Sequence, residues 1–169
     1  MGRLTYTVIA SLDGYINDLD GNYGWAVPGE DLIEFFNDQS LNVGTNLYGR
    51  RMYEEMKGWE TDPAAAAQSP QSSRFAKIWQ AANKVVFSTT LESVSTSRTR
   101  LERRFDEQLV RQLKHDAELD LTVDGPTLAA HALNLGVVDE IHRFVIPVVI
   151  GGGTAGLPGG LRLDLDLVV

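Results

Sequence analysis

The chain has no cysteine among its 169 residues, so disulfides, cysteine-ligated zinc and thiol catalysis are excluded. Cationic residues are scarce as well: 15 Lys and Arg stand against 23 Asp and Glu, for a net charge of −8. Such a surface repels a polyanion over most of its area. That argues against general nucleic-acid binding and leaves room only for a small anion held locally. Long hydrophobic runs are missing too. The longest, Phe144 to Ile150, falls far short of the roughly 20 residues of a membrane span, and Met1-Gly-Arg-Leu-Thr-Tyr lacks the apolar segment of a signal peptide. We expect a cytoplasmic protein with no membrane association. His115, His131 and His142 show no paired spacing, so no histidine metal site is expected.

What remains is an ordinary globular composition, 43% apolar and 22% charged, at a length that suits one domain over residues 1–169. Leu4 to Ala10 reads as a buried strand, and Tyr15 to Gly24 as a long mobile loop of the kind that forms lids. Glu30 to Asn42 has a helical period, Val43 to Tyr48 is a strand, and Met52 to Met56 a short helix. Thr61 to Ser73 shows no periodic apolar face and reads as a surface excursion. The charged segment Ser93 to Arg104 reads as a solvated face that could also add to a phosphate-binding surface. Further strands are expected at Lys84 to Ser88, Leu119 to Val123 and Ile141 to Ile150, the last confined by Pro147 to an edge or a bulge. Alternation of Leu161, Leu163, Leu165 and Leu167 with Arg162, Asp164 and Asp166 predicts a one-sided C-terminal strand. The order predicts an α/β fold with a mainly parallel sheet and an antiparallel C-terminal edge.

The stretch Asn46-Leu-Tyr-Gly-Arg-Arg-Met-Tyr-Glu54 reads as strand, tight turn and helix start. Arg50 and Arg51 stand there beside unpaired helix N–H groups, a pocket for phosphate, although a solvated helix start is the plainer reading. A second strand, glycine and helix junction follows at Asp124-Gly-Pro-Thr127, where Gly125 would let a diphosphate approach and the amides of Thr127 and Leu128 would face it; it also reads as a plain turn. The hydroxyls of Ser88 and Thr89 end another strand. Asp31 falls about 40° from Phe35 on the helical wheel, at the margin of the apolar stripe. Such a half-buried carboxyl suits proton handling, and it suits equally a first-turn acid that favours the helix dipole. The Gly151-Gly-Gly153 run offers backbone to a substrate or merely makes a corner.

Together Ala10-Ser-Leu-Asp-Gly-Tyr-Ile16, Trp25-Ala-Val-Pro28, Leu47-Tyr-Gly-Arg-Arg-Met-Tyr53, Val85-Val-Phe-Ser88, Val123-Asp-Gly-Pro-Thr127 and Gly136-Val-Val-Asp-Glu-Ile141 through Gly153 resemble the dihydrofolate reductase superfamily. The closer resemblance is to the reductase domain of riboflavin-biosynthesis proteins, the RibD C-terminal branch. It implies a three-layer dihydrofolate-reductase-like fold and an NADPH-dependent reductase acting on a pterin-like, pyrimidine-like or imine small molecule. By the same resemblance Ala10, Gly49, Arg50, Arg51, Ser88, Thr89, Gly125, Thr127 and Leu128 would hold NADPH. Trp25, Asp31 and Phe35 would contact substrate, Asp31 promoting its protonation. Met52 stands where the superfamily usually has a threonine, Pro126 replaces a second glycine, and one extra residue before Asp31 makes Glu30 its alternative. A nucleotide-binding protein without turnover is the other reading, and a domain partner or a homodimer contact could cover the C-terminal edge.

Overall fold

The computed structural model describes residues 1–27 and 29–168. In chain order they form β1 (Leu4–Ser11), β2 (Tyr15–Asn17), a 3₁₀ turn (Gly24–Ala26), α1 (Glu30–Ser40), β3 (Val43–Gly49), α2 (Arg50–Met56), α3 (Gly58–Thr61), α4 (Pro63–Ala66), α5 (Pro70–Ala81), β4 (Asn83–Phe87) and β5 (Thr99–Glu102). There follow α6 (Glu107–Asp116), β6 (Asp120–Asp124), α7 (Pro126–Asn134), β7 (Glu140–Ile146) and β8 (Thr154–Ala155). The main sheet runs β5-β4-β3-β6-β1-β7, with every pairing parallel. The antiparallel pairing lies outside it, between β2 and β8.

Alternation within the strands sorts the layers. Leu4, Tyr6 and Val8 of β1, Leu47 of β3 and Leu121 and Val123 of β6 pack with Val110 of α6 and Leu128, Ala129, Ala132 and Leu133 of α7. The opposite face is split. Tyr48 and Val86 pack with Tyr53 of α2 and Trp79 of α5, whereas α1 reaches the sheet through ring contacts of Phe35 and Phe36 with Phe144 on β7, at 5.7 and 4.9 Å. Burying aliphatic side chains on this scale stabilises by about 1.5–3 kcal/mol per residue, which is ample to fix the strand registers.

Several expectations are corrected. The Thr61–Ser73 stretch is largely helical: Asp62 caps α4 by accepting from the N–H groups of Ala64 and Ala65, and Ser69 caps α5 by accepting from Ser72, each with proline at the first turn. Capping residue, proline and alanine propensity substitute for an apolar stripe. Within the charged Ser93–Arg104 segment lies an edge strand, β5, with Arg100 exposed and its other residues half-buried. Part of the expected lid is β2, which forms only because β8 pairs with it from far along the chain. Residues 161–168 form no strand. β7 ends before Pro147, so the proline terminates the strand, which lies at the end of the main sheet.

The glycine run after β7 makes a corner. Ile150 and Gly151 donate their N–H groups to the carboxylate of Asp13, at 3.2 and 2.8 Å. A side chain at Gly153 (φ 140°) would place its Cβ 1.8 Å from the Asn17 carbonyl oxygen, so glycine is what lets β8 reach β2.

Candidate functional site

Parallel pairing places the carboxyl ends of β4, β3, β6 and β1 side by side, and with them Ser88, Gly49, Gly125 and Ala10. The two glycine junctions adjoin, since Tyr48 pairs with Asp124 and a Cβ on Gly125 would lie 3.8 Å from that of Met52. Gly125 adopts φ 90°, ψ 134°, which an L side chain resists, and it offers α7 no side-chain cap. The amides of Thr127 and Leu128 thus open α7 with room for an anion. Beside them the Arg50 guanidinium donates to Glu54 at 3.0 Å and to the Thr90 hydroxyl at 3.0 Å. Ser88 Oγ shapes the same loop by accepting from the N–H groups of Thr90 and Leu91, and Arg103 braces it by donating to the Leu91 carbonyl at 2.5 Å. Thr89 and Arg51 are exposed.

Behind this row a cavity of about 690 Å³ lies between the sheet and the helices α1 and α5. Its floor is polar because β6 alternates: Leu121 and Val123 face the core, and Thr122 and Asp124 face the cavity with Asn46. Thr122 Oγ lies 2.7 Å from Asp124 Oδ2 and 3.0 Å from Asn46 Oδ1. One hydroxyl proton cannot serve two acceptors, so a protonated Asp124 donating to Thr122, which donates to Asn46, satisfies the group. Desolvation pushes the Asp124 carboxyl up to about 6, against a smaller lowering by the Thr122 hydrogen bond. Burial, with a smaller contribution from the Asp124 carboxylate when ionised, raises Tyr6 to about 12 and holds the Tyr48 phenol well above its ordinary value, and Tyr48 also accepts from the Trp79 indole at 2.9 Å.

The sequence profile of the RibD C-terminal domain family matches residues 3–168. The chain belongs to that family. The uncharacterised protein YyaP of Bacillus subtilis (strain 168) is 26% identical over 152 residues, 89% of this chain and 78% of that protein. A Shewanella sp. PV-4 protein ascribed to riboflavin biosynthesis shares the fold with TM-score 0.71 at 21% identity, over 97% of this chain and 87% of that one. The Thermotoga maritima diaminohydroxyphosphoribosylaminopyrimidine deaminase/5-amino-6-(5-phosphoribosylamino)uracil reductase matches at TM-score 0.64 and 15% identity, and Acinetobacter baumannii RibD at 0.64 and 14%. This chain covers 51% of the length of each of those two. The fold is thus the dihydrofolate-reductase-like fold of RibD reductase domains.

Within this RibD C-terminal domain the substrate residues expected from sequence are dispersed. Asp31 is exposed on the first turn of α1, outside the cavity lining and not at a half-buried margin, because α1 stands off the sheet and buries only Asn37, against α5. Glu30 is exposed as well. Phe35 is 45% exposed and stacks edge-on against Phe144, while Phe36 is the ring that lines the cavity. Trp25 is half-buried in the 3₁₀ turn, its Nε1 enclosed and without a hydrogen-bond partner among the described residues. Ala10 is buried at the end of β1. Met52 packs with Tyr53 and Trp79, so the position usually held by threonine serves the apolar cluster here. Asp124, which the sequence pattern does not single out, lines this cavity, and the polar, apolar alternation of Asp120 to Asp124 is the signal that places it there. Among the described residues no cluster of His, Asp and Glu could hold a metal, and no helix is long and apolar enough to cross a membrane.

Proposed function

We propose that the protein is an NADPH-dependent reductase acting on a pyrimidine-like or pterin-like small molecule, at a ring carbon–nitrogen double bond or an imine carbon. The observation that carries this reading is the adjacency of Asp124 and Gly125: one residue closes the floor of the cavity, and the next opens the anion-binding turn. Cofactor and substrate would meet there. The named activity of the Thermotoga relative, reduction of a phosphoribosylaminouracil, is of the same chemical kind.

The residues fit the cofactor. Gly125 leaves a cradle with no side chain, α7 opens with amides free of a side-chain cap, and Arg50 lies within reach of the same row. Gly125, Thr127 and Leu128 would hold the diphosphate, and Arg50, Ser88 and Thr90 the adenosine end, where a 2′-phosphate needs a cation. NADPH supplies the hydride when bound. The chain's own part is to orient the ring against the polar floor, exclude water beneath α1, and deliver a proton. Reduction of a carbon–nitrogen double bond consumes one hydride at carbon and one proton at nitrogen. Asp124, with Thr122 and Asn46 behind it, holds that proton well above the usual carboxylate range, up to about pH 6.

Purified protein incubated with NADPH and a panel of aminouracils, dihydropterins and cyclic imines tests this reading. Consumption of NADPH with a reduced product supports it. Tight NADPH binding with no substrate consumed would identify a nucleotide-binding protein of the same fold.

A further inference from the structure

We infer, on the strength of the reductase reading of the same cavity, that its substrate is an unphosphorylated heterocycle with a basic nitrogen and an apolar substituent, and that a sugar phosphate is rejected. The Thermotoga relative is named for a phosphoribosylaminouracil. A phosphate monoester carries about −1.5 to −2 charge at pH 7 and is held by cationic donors. This cavity has none to spare. Among the described residues its lining holds one guanidinium, Arg3, no lysine, and the carboxylates of Glu118, Asp120, Asp124 and Glu140. Arg3 is committed, donating to Asp120 at 3.1 Å and to Glu140. His142, the other group able to carry positive charge, lies 3.2 Å from Glu140. Glu118 is exposed and forms no ion pair among the described residues.

The placement of these charges matters as much as their number. The cavity runs the length of the sheet, from Asp124 and Gly125 at the carboxyl ends of the strands to Arg3, Asn42 and Asp120 at the other. A ring reduced beside the cofactor row sends its substituent along that floor. Asp120 lies four residues before Asp124 on β6, about 13 Å away at the rise of a strand, so the far end of the substituent meets Asp120, Glu118 and Glu140. The roof offers no cation either. α1 carries Glu30, Asp31, Glu34 and Asp38 and no lysine or arginine, and Arg74 of α5 is taken by Glu34 and Asp38. Arg50 and Arg51 stand outside the lining, Arg50 on the cofactor row. Charges so arranged repel an anion and draw a protonated amine or imine. The opposite wall is apolar: Met52 and Met56, one turn apart on α2, join Phe75, Ile78 and Trp79 of α5. All but Trp79 are half-buried, leaving apolar surface for a ligand to cover, and methionine adapts to varied shapes. A basic heterocycle with an apolar substituent matches both walls, and a sugar phosphate matches neither.

Matched ligand pairs test this with the full chain. One pair is a phosphoribosylaminouracil and the same compound after phosphatase treatment; the other is dihydroisoquinoline, a basic bicyclic imine, and a derivative bearing a carboxylate on its benzene ring. Each compound is titrated calorimetrically into the protein without NADPH and then assayed for kcat/KM with NADPH. In each pair the member without the anionic group should bind at least about tenfold tighter and lead by a similar factor in kcat/KM, with the gap narrowing at high salt. Glu118→Lys places a cation at the far rim without breaking an ion pair and should narrow the gap by about threefold or more. Equal or tighter binding of the anionic members, or a gap unchanged in folded Glu118→Lys, would overturn the proposal. If that variant does not fold, the wild-type gap alone decides. Turnover of the phosphorylated compound with no preference for its partner would overturn this substrate class and keep the reductase. Selective binding of the basic members with NADPH never consumed would keep the preference of the cavity and remove the reductase.

Discussion

Asp124 and Arg50 are held in ways that stability does not explain. The Arg50–Glu54 pair is 47% and 39% exposed, and pairs so placed are worth about 0–1 kcal/mol. Arg50→Ala should therefore leave the melting temperature nearly unchanged yet weaken NADPH by roughly tenfold or more, the loss of a charge-assisted bond, with a much smaller effect on NADH. Calorimetric titration with both nucleotides checks it, and equal losses would remove the 2′-phosphate from its role. For Asp124 the carboxyl is raised from 3.8 to about 6, so the native state binds more protons than the unfolded chain between those values. Its stabilising contribution is complete below about pH 4 and is lost as pH rises through 6, by roughly 3 kcal/mol at most. The melting temperature of Asp124→Asn relative to wild type should accordingly climb from pH 4 to 7. In turnover the same substitution should cost about 10²-fold and abolish a rate decline centred near pH 6, whereas Asp31→Asn should cost far less. The reverse order would return the proton to Asp31.

At the scale of elements, legibility followed locality. Strands β1, β3, β4 and β6 were readable because an apolar run or alternation lies within a few residues of sequence. β2 and β8 were not, since each exists only through the other. β5 hid behind arginine and glutamate because an edge strand tolerates charge. The C-terminal alternation was read correctly as a pattern and incorrectly as a formed strand: periodicity states which face a segment would bury, and a partner decides whether it does. The half-buried placement expected for Asp31 differs from its exposed position for a related reason, since a helical wheel ranks positions around α1 but cannot say how far α1 stands from the sheet. Gly153 offers a direct test of the element junctions. Gly153→Ala would thrust a methyl group into the Asn17 carbonyl at a strained φ and should lower stability by about 2–4 kcal/mol in urea unfolding. An effect below about 0.5 kcal/mol would show that the β2–β8 corner yields easily.

For the molecule as a whole, parallel order does most of the work. A sheet ordered β5-β4-β3-β6-β1-β7 aligns the carboxyl ends that carry Ser88, Gly49, Gly125 and Ala10, so residues dispersed from the tenth position to the 125th fall in one row. That alignment is legible from strand, glycine and helix junctions alone. The cavity was not, because its floor is built from alternate side chains of strands far apart in sequence, and its roof from a helix that barely touches the sheet. In the proposed function two halves work together, a row that would hold the cofactor and a cavity that would supply the proton, joined at Asp124 and Gly125. The most direct measurement is the rate at which NADPH absorbance is lost when wild-type protein and Asp124→Asn are each given an aminouracil or dihydropterin substrate. Steady turnover is expected in the wild type, and a loss of about two orders of magnitude in the variant with NADPH affinity retained. Equal rates in the two proteins, or NADPH bound and never consumed, would contradict it.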